Sequence, residues 1–128
     1  MVLEQLNVGI VGAVGRGASF CTPFEAHPRA RIHAVCDVRR DLLPQAAQQL
    51  GACESYADYE EMLEYSEVDA VVIATPMQYH ASQSIAAIAR NIHVLCEVTA
   101  AISVDECRAL VMAAHRSGAV YMMAENAT

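Results

Sequence analysis

The 128-residue sequence contains no tryptophan and only two phenylalanines. It has five cysteines but no C-x-x-C pair, and its five histidines (27, 33, 80, 93 and 115) show no ligand spacing. No metal site is therefore expected. Cys21, Cys36, Cys53, Cys96 and Cys107 form an odd set, with Cys36 and Cys96 inside apolar strand-like runs. They read as small apolar residues kept reduced in a cytosol. Positive charge is scarce: eight Lys and Arg against fifteen Asp and Glu give a net charge of −7 and a pI of about 5.0. The basic residues gather no further than Arg29/Arg31 and Arg39/Arg40. This argues against nucleic acid or an anionic membrane as the main partner. No apolar run approaches the ~20 residues of a membrane span. Met1-Val-Leu-Glu-Gln lacks the basic n-region and apolar h-region of a signal peptide. Together these absences point to a cytoplasmic protein.

Apolar residues are abundant. They make up 55% of the chain, above the roughly 45–50% usual in globular proteins. The length suits one domain with a core that needs neither disulfides nor metal. Strands buried on both faces account for part of the excess. The rest reads as surface meant for another domain or subunit.

Strand and helix signals alternate along the chain. Leu6–Val11 is the first strand. A helix is predicted from near Gly15 toward Ala26, broken or kinked at Pro23. Arg31–Cys36 is the second strand and ends at Asp37. The second helix starts at Asp41 as N-cap, carries Leu42, Leu43, Ala46, Ala47 and Leu50 on its apolar side, tolerates Pro44 in its first turn, and ends at Gly51. Glu54–Tyr56 is a short third strand. Asp58 and Glu61 form a capping box for a helix with Met62 and Leu63 inward. Ala70–Ala74 is a continuous apolar strand of the kind found at the centre of a parallel sheet. Helix four spans His80–Arg90, with Asn91 left-handed at its end, and strand five is His93–Cys96. Ser103 and Glu106 cap a fifth helix with Val104, Cys107, Leu110, Val111 and Ala114 inward, stopping at Gly118. Val120–Ala124 is the sixth strand. Six strands alternating with five helices predict an α/β, doubly wound Rossmann sheet of order 3-2-1-4-5-6, a single domain over residues 1–128.

The chemistry concentrates at the first turn. Strand one runs into Gly12-Ala13-Val14-Gly15-Arg16-Gly17, and Asp37 stands 20 residues beyond Gly17. Such a turn holds the pyrophosphate of a dinucleotide on backbone N–H groups and the helix dipole, while the distant carboxylate takes the ribose hydroxyls. Gly12 supplies the tight turn and Gly17 the close helix–strand packing. Val14 replaces the middle glycine of G-x-G-x-x-G, and Gly15 beside it can relieve the approach if the turn shifts by one residue. Asp37 repels a 2′-phosphate and so favours NAD, while Arg39 and Arg40 offer the alternative of embracing that phosphate in NADP. Thr75-Pro76 ends strand four at the topological switch, and Glu97 ends strand five beside the same crevice.

In their order and spacing, several segments resemble the N-terminal domain of the glucose–fructose oxidoreductase / inositol dehydrogenase / MocA (Gfo/Idh/MocA) family. They are Val8-Gly-Ile-Val-Gly12, Ala34-Val-Cys-Asp37, Tyr59-Glu-Glu-Met-Leu63, Val68-Asp-Ala-Val-Val-Ile-Ala-Thr-Pro76, His80, His93-Val-Leu-Cys-Glu97 and Ala124-Glu-Asn126. The resemblance covers nearly the whole chain. It implies a Rossmann domain of an NAD(P)-dependent oxidoreductase of sugars, polyols or related compounds. It also implies that Gly12, Val14, Gly15, Arg16 and Gly17 face the pyrophosphate, and Asp37 the adenosine ribose. Thr75, Pro76 and His80 would line the cofactor cleft, with Glu97 and Asn126 toward the nicotinamide.

The departures matter too. The family's Glu-Lys-Pro is here Glu97-Val98-Thr99, and valine cannot orient or polarise a reacting hydroxyl. The asparagine often found after Thr-Pro is Met77. The family's substrate domain, which supplies its catalytic histidine, is expected to be absent, so no catalytic residue is assigned here and the chain alone is expected to be inactive. Surfaces that would face that domain are left apolar, and a homo-oligomer is expected. A non-catalytic nucleotide-binding or interaction module is the competing reading. An S-adenosylmethionine-dependent methyltransferase also uses a glycine turn and an acid after strand two, but Thr75-Pro76 and the Glu97/Asn126 framework argue against it.

Overall fold

The structure, a computed structural model, describes residues 5–124. Six strands form one sheet: β1 (Leu6–Val11), β2 (Ala30–Cys36), β3 (Glu54–Tyr56), β4 (Ala70–Ile73), β5 (His93–Glu97) and β6 (Tyr121–Ala124). Their order is β3-β2-β1-β4-β5-β6 and every neighbouring pair is parallel. Five α-helices connect them: α1 (Cys21–Ala26), α2 (Leu43–Leu50), α3 (Tyr59–Tyr65), α4 (His80–Ile88) and α5 (Val104–His115). The expected doubly wound sheet is the one observed.

Because side chains alternate across a strand, each central strand feeds two cores. Ile10, Val35 and Val72 join Val8, Ile32, Leu43, Ala46 and Leu50 on one face. Val11, Cys36 and Ile73 join Met62, Leu63, Ile88, Val94, Cys96 and Leu110 on the other. Each Val, Leu, Ile or Met among them contributes about 1.5–3 kcal/mol when fully buried. The two cores fix β1 and β4 side by side at the middle of the sheet, with Val8 opposite Ala70 and Val11 opposite Ile73.

Several local expectations hold. Gly51 (φ 70°) ends α2, and Asn91 (φ 59°) lies in the left-handed turn after α4. The Asp58 carboxylate accepts from the N–H groups of Glu60 and Glu61, and Ser103 Oγ from that of Glu106.

Others need correction. The predicted Gly15–Ala26 helix is two pieces, a 3-10 turn (Arg16–Phe20) followed by α1. The break comes before Pro23 rather than at it. Restarting the helix at Cys21 puts proline in the first turn, where no N–H partner is needed. Helix α2 begins at Leu43, not behind an Asp41 cap; Leu42 occupies the cap position without a side-chain bond, and its N–H donates to Arg39 O. Leu42 is exposed rather than inward. A second 3-10 turn (Met77–Tyr79) leads into α4. The largest departure is α5. Of the five residues expected inward only Leu110 is buried, while Val104 is 65% and Val111 56% exposed. Leu110 packs on the sheet with Ala113 half-buried beside it, and the Val104–Cys107–Val111 stripe runs along a flank left uncovered among the described residues.

Candidate functional site

A cavity of about 860 Å³ opens at the carboxyl ends of β1, β2 and β4. Strand order reverses between β1 and β4, and an open α/β sheet leaves a crevice there. Gly12, Gly15 and Arg16 line it from the turn after β1. Asp37, Val38 and Arg39 line it from the end of β2, Thr75 and Pro76 from the end of β4, and Tyr59, Tyr79 and Gln83 from the helical side.

The glycine turn is set by close backbone contacts. Gly12 has φ +88°, and a Cβ there would stand 2.7 Å from Ala74 O. A Cβ on Gly17 would meet Gly12 O at 2.6 Å and the Ile10 side chain at 2.7 Å. The N–H groups of Gly12 and Ala13 both donate to Cys36 O, and those of Gly15 and Gly17 to Gly12 O. Both glycines are thus needed where the sequence puts them. Val14 behaves differently from a cleft residue. Its side chain packs on the core that contains Ile10 and Leu43, and it does not line the cavity. Gly15 takes the cleft-facing place.

Asp37 organises the rim. Its Oδ2 accepts from Val14 N–H at 3.0 Å, and its Oδ1 from Arg39 N–H at 3.0 Å and Arg39 Nε at 3.1 Å. Burial works to raise its pKa, but the bonds from the Arg39 side chain, the Arg39 backbone and Val14 outweigh it, and the carboxyl lies below the usual range. The Arg39 guanidinium consequently lies over the glycine turn, 3.3 Å from where a Gly15 Cβ would be. Beneath them, burial and then the neighbouring Asp37 and Asp58 push the Cys36 thiol up to about 12, so the cleft floor carries a neutral thiol.

On the opposite side, Arg16 Nε donates to Glu97 Oε2 at 3.2 Å, joining the glycine turn to the end of β5. Thr75 Oγ1 donates to Gln83 Oε1 at 2.6 Å, and the Tyr59 hydroxyl to Gln83 O at 2.7 Å. His80 lies behind this wall and is 1% exposed. Its ring nitrogens stand 2.7 Å from the carbonyl oxygens of Thr75 and Thr99, bridging the loops after β4 and β5. The peptide bond between Val98 and Thr99 is cis.

Gly12, Gly15, Arg16, Asp37, Thr75 and Pro76 therefore share one cavity. Gly17 supports the turn, and Glu97 reaches the site through Arg16. Asn126 lies outside the described residues. Tyr59 and Gln83 were missed by the sequence reading, although the first turn of α4 opens on the crevice and makes Gln83 findable. Among the described residues no cluster of His, Cys, Asp or Glu could hold a metal ion, and no helix is long and apolar enough to cross a membrane.

Residues 6–125 match the family profile described as "Oxidoreductase family, NAD-binding Rossmann fold" (GFO_IDH_MocA). The chain belongs to the Gfo/Idh/MocA family. This Gfo/Idh/MocA chain is 37% identical over 117 residues to a "Glycosyl hydrolase family 109 protein" of Saccharopolyspora erythraea, covering 84% of the chain and 26% of that protein. A protein of the same name from Shewanella pealeana is 31% identical, covering 97% of the chain and 29% of the relative. Among solved structures, the WlbA dehydrogenase of Bordetella pertussis in complex with NADH and UDP-GlcNAcA superposes with a TM-score of 0.89 at 25% identity, over 97% of this chain and 36% of that one. An NAD-binding oxidoreductase from Klebsiella pneumoniae gives 0.86 at 28% identity, over 94% and 34%. The chain thus spans about a third or less of these proteins' length.

Proposed function

We propose that this chain is the cofactor-binding part of a Gfo/Idh/MocA oxidoreductase whose whole acts on a sugar, polyol or related compound. The carrying observation is the cavity itself. Gly12 and Gly15 leave backbone rather than side chain at the turn, and the Asp37 carboxylate stands at the rim where a ribose would lie. In this reading the Gly12–Gly17 turn, with the Arg16 charge, seats the pyrophosphate, and Asp37 accepts from the adenosine ribose hydroxyls. Thr75 and Pro76 form the wall, His80 holds that wall in place from behind, and Glu97 lies toward the nicotinamide. When bound, the nicotinamide supplies the hydride acceptor or donor. The residues of this chain bind and orient it.

Asp37 favours NAD, while Arg39 beside it leaves NADP as the alternative. The names of the relatives, glycosyl hydrolases of family 109 and a dehydrogenase in complex with UDP-GlcNAcA, support a carbohydrate-derived substrate. They lend no support to a non-catalytic module. The chain has no lysine anywhere, and Val98 stands at the family's lysine position. The proton-handling groups of the reaction are therefore assigned to chain beyond these residues, and the 128 residues alone to cofactor binding without turnover.

Thermal melting with 1 mM NAD, NADP or S-adenosylmethionine tests this. A ligand at 100 times its Kd adds about 2.7 kcal/mol of stability, so NAD should raise the melting temperature clearly and S-adenosylmethionine should not. No shift with any dinucleotide removes the cofactor reading for this chain.

A further inference from the structure

The edge strand β3 carries a cluster that the cofactor site does not use. Cys53 immediately precedes β3 and is exposed. In the parallel sheet this is the amino end of the strand, opposite the end on which the cleft opens. Its N–H donates to His33 O at 3.1 Å, which sets the two residues side by side across β2 and β3. Cys53 Sγ stands 3.4 Å from His33 Nδ1. The other ring nitrogen, Nε2, faces Glu54 Oε2 at 3.5 Å. Glu54 is itself held: its Oε1 accepts from Ser66 Oγ at 2.6 Å and from the Tyr56 hydroxyl at 3.1 Å. The Ser66 bond is the leading reason its carboxyl lies below the usual range.

We propose that Cys53, His33 and Glu54 form a reactive-thiol site that takes small disulfides. Two hydroxyls fix one oxygen of the acid, so the other oxygen is aimed at His33. A carboxylate there places the imidazole proton on Nε2 and leaves the Nδ1 lone pair toward the thiol. The three residues thus present a nucleophile, a base and a group that orients the base, with His33 between the thiol and the carboxylate. The step balances as a thiol–disulfide exchange. Cys53 Sγ attacks one sulfur of RS–SR, His33 Nδ1 takes the thiol proton, and the S–S bond of the reagent breaks. The products are a mixed disulfide on Cys53 and RSH, whose proton returns from His33. No other oxidant or reductant is needed. A second exposed thiol, Cys107 on α5, provides an internal comparison, while Cys36 and Cys96 are buried.

The test reacts the intact chain, diluted until light scattering gives the mass of a monomer so that Cys107 stays accessible, with 5,5′-dithiobis(2-nitrobenzoate), follows the released thiolate, and maps the modified cysteines by peptide mass over time. Cys53 is expected to react at least about tenfold faster than Cys107, and His33→Gln to remove most of that advantage while leaving the Cys107 rate unchanged. Glu54→Gln keeps acceptors for Ser66 and Tyr56 but drops the charge, and its Cys53 rate should fall between the two. Equal rates at Cys53 and Cys107 in the unaltered chain overturn the proposal. So does a Cys53 rate indifferent to both substitutions. If His33→Gln unfolds the chain, seen as rapid labelling of Cys36 and Cys96, then Glu54→Gln and the Cys53/Cys107 ratio of the unaltered chain decide.

Discussion

Asp37 does two things with one carboxylate. It ties Val14 N–H, and so the glycine turn, to the end of β2, and it holds Arg39 across the mouth of the cleft. Because its folded pKa lies below the ordinary value of about 3.9, it stabilises the fold above that pH. The contribution is lost as pH falls through the folded-state value. Asp37→Asn should therefore lower stability at pH 7 and flatten its loss below about pH 4, read from denaturant midpoints across pH 2–7. A second prediction concerns the partner. A dinucleotide ribose has to take Asp37 from Arg39, whereas a 2′-phosphate would keep the guanidinium close. Arg39→Ala should shift the NAD-to-NADP affinity ratio toward NAD by about tenfold, roughly 1.4 kcal/mol, in titration calorimetry. An unchanged ratio would remove Arg39 from cofactor choice. The sequence showed which residues form this rim but not their pairing. Two charged residues two positions apart after a strand can face each other or solvent, and the N–H of Val14 decides by fixing the carboxylate first.

At the scale of single elements, capping chemistry was readable where a side-chain oxygen had N–H groups to satisfy. Asp58 bonds two N–H groups at the start of α3, so Asp58→Ala should cost about 1 kcal/mol, measured as a shift in unfolding midpoint with unchanged slope. Asp41 failed the same reasoning because Pro44 sets where α2 begins, leaving the acid two residues outside the helix. The resemblance places Val14, in the position of the motif's middle glycine, against the pyrophosphate. It is instead a residue packed on the core, because the turn presents Gly12 and Gly15 and not the position between them. The α5 stripe was legible as apolar but not as uncovered: periodicity reports which face is apolar, not whether a partner lies against it.

For the whole molecule, the uncovered surface is the instructive part. Met122 pairs with Leu95 and is 60% exposed, so among the described residues the β5–β6 end of one sheet face has no covering layer. Together with the Val104–Cys107–Val111 stripe it is apolar surface beyond what scattered exposed residues explain. The isolated chain is expected to self-associate, with a mass above the monomer in light scattering. Val111→Glu with Met122→Glu should return it to a monomer. A strict monomer at high concentration for the unaltered chain would show that this surface tolerates water. The fold as a whole was legible because β1, β2, β4 and β5 are short, largely apolar runs each followed by a turn and a helix, and alternation leaves few parallel topologies.

The position of β1 between β2 and β4 also sets a timetable. Val8 pairs with Ala70, 62 residues later, so the centre of the sheet closes only through a long loop. On a ribosome, β1 and β2 emerge and pair while β4 is still inside the exit tunnel, leaving one edge of β1 and the apolar side chains of Val8, Ile10 and Val11 unprotected. The nascent chain passes its most aggregation-prone stage in that interval, and the stage ends when Ile73 has cleared the exit tunnel.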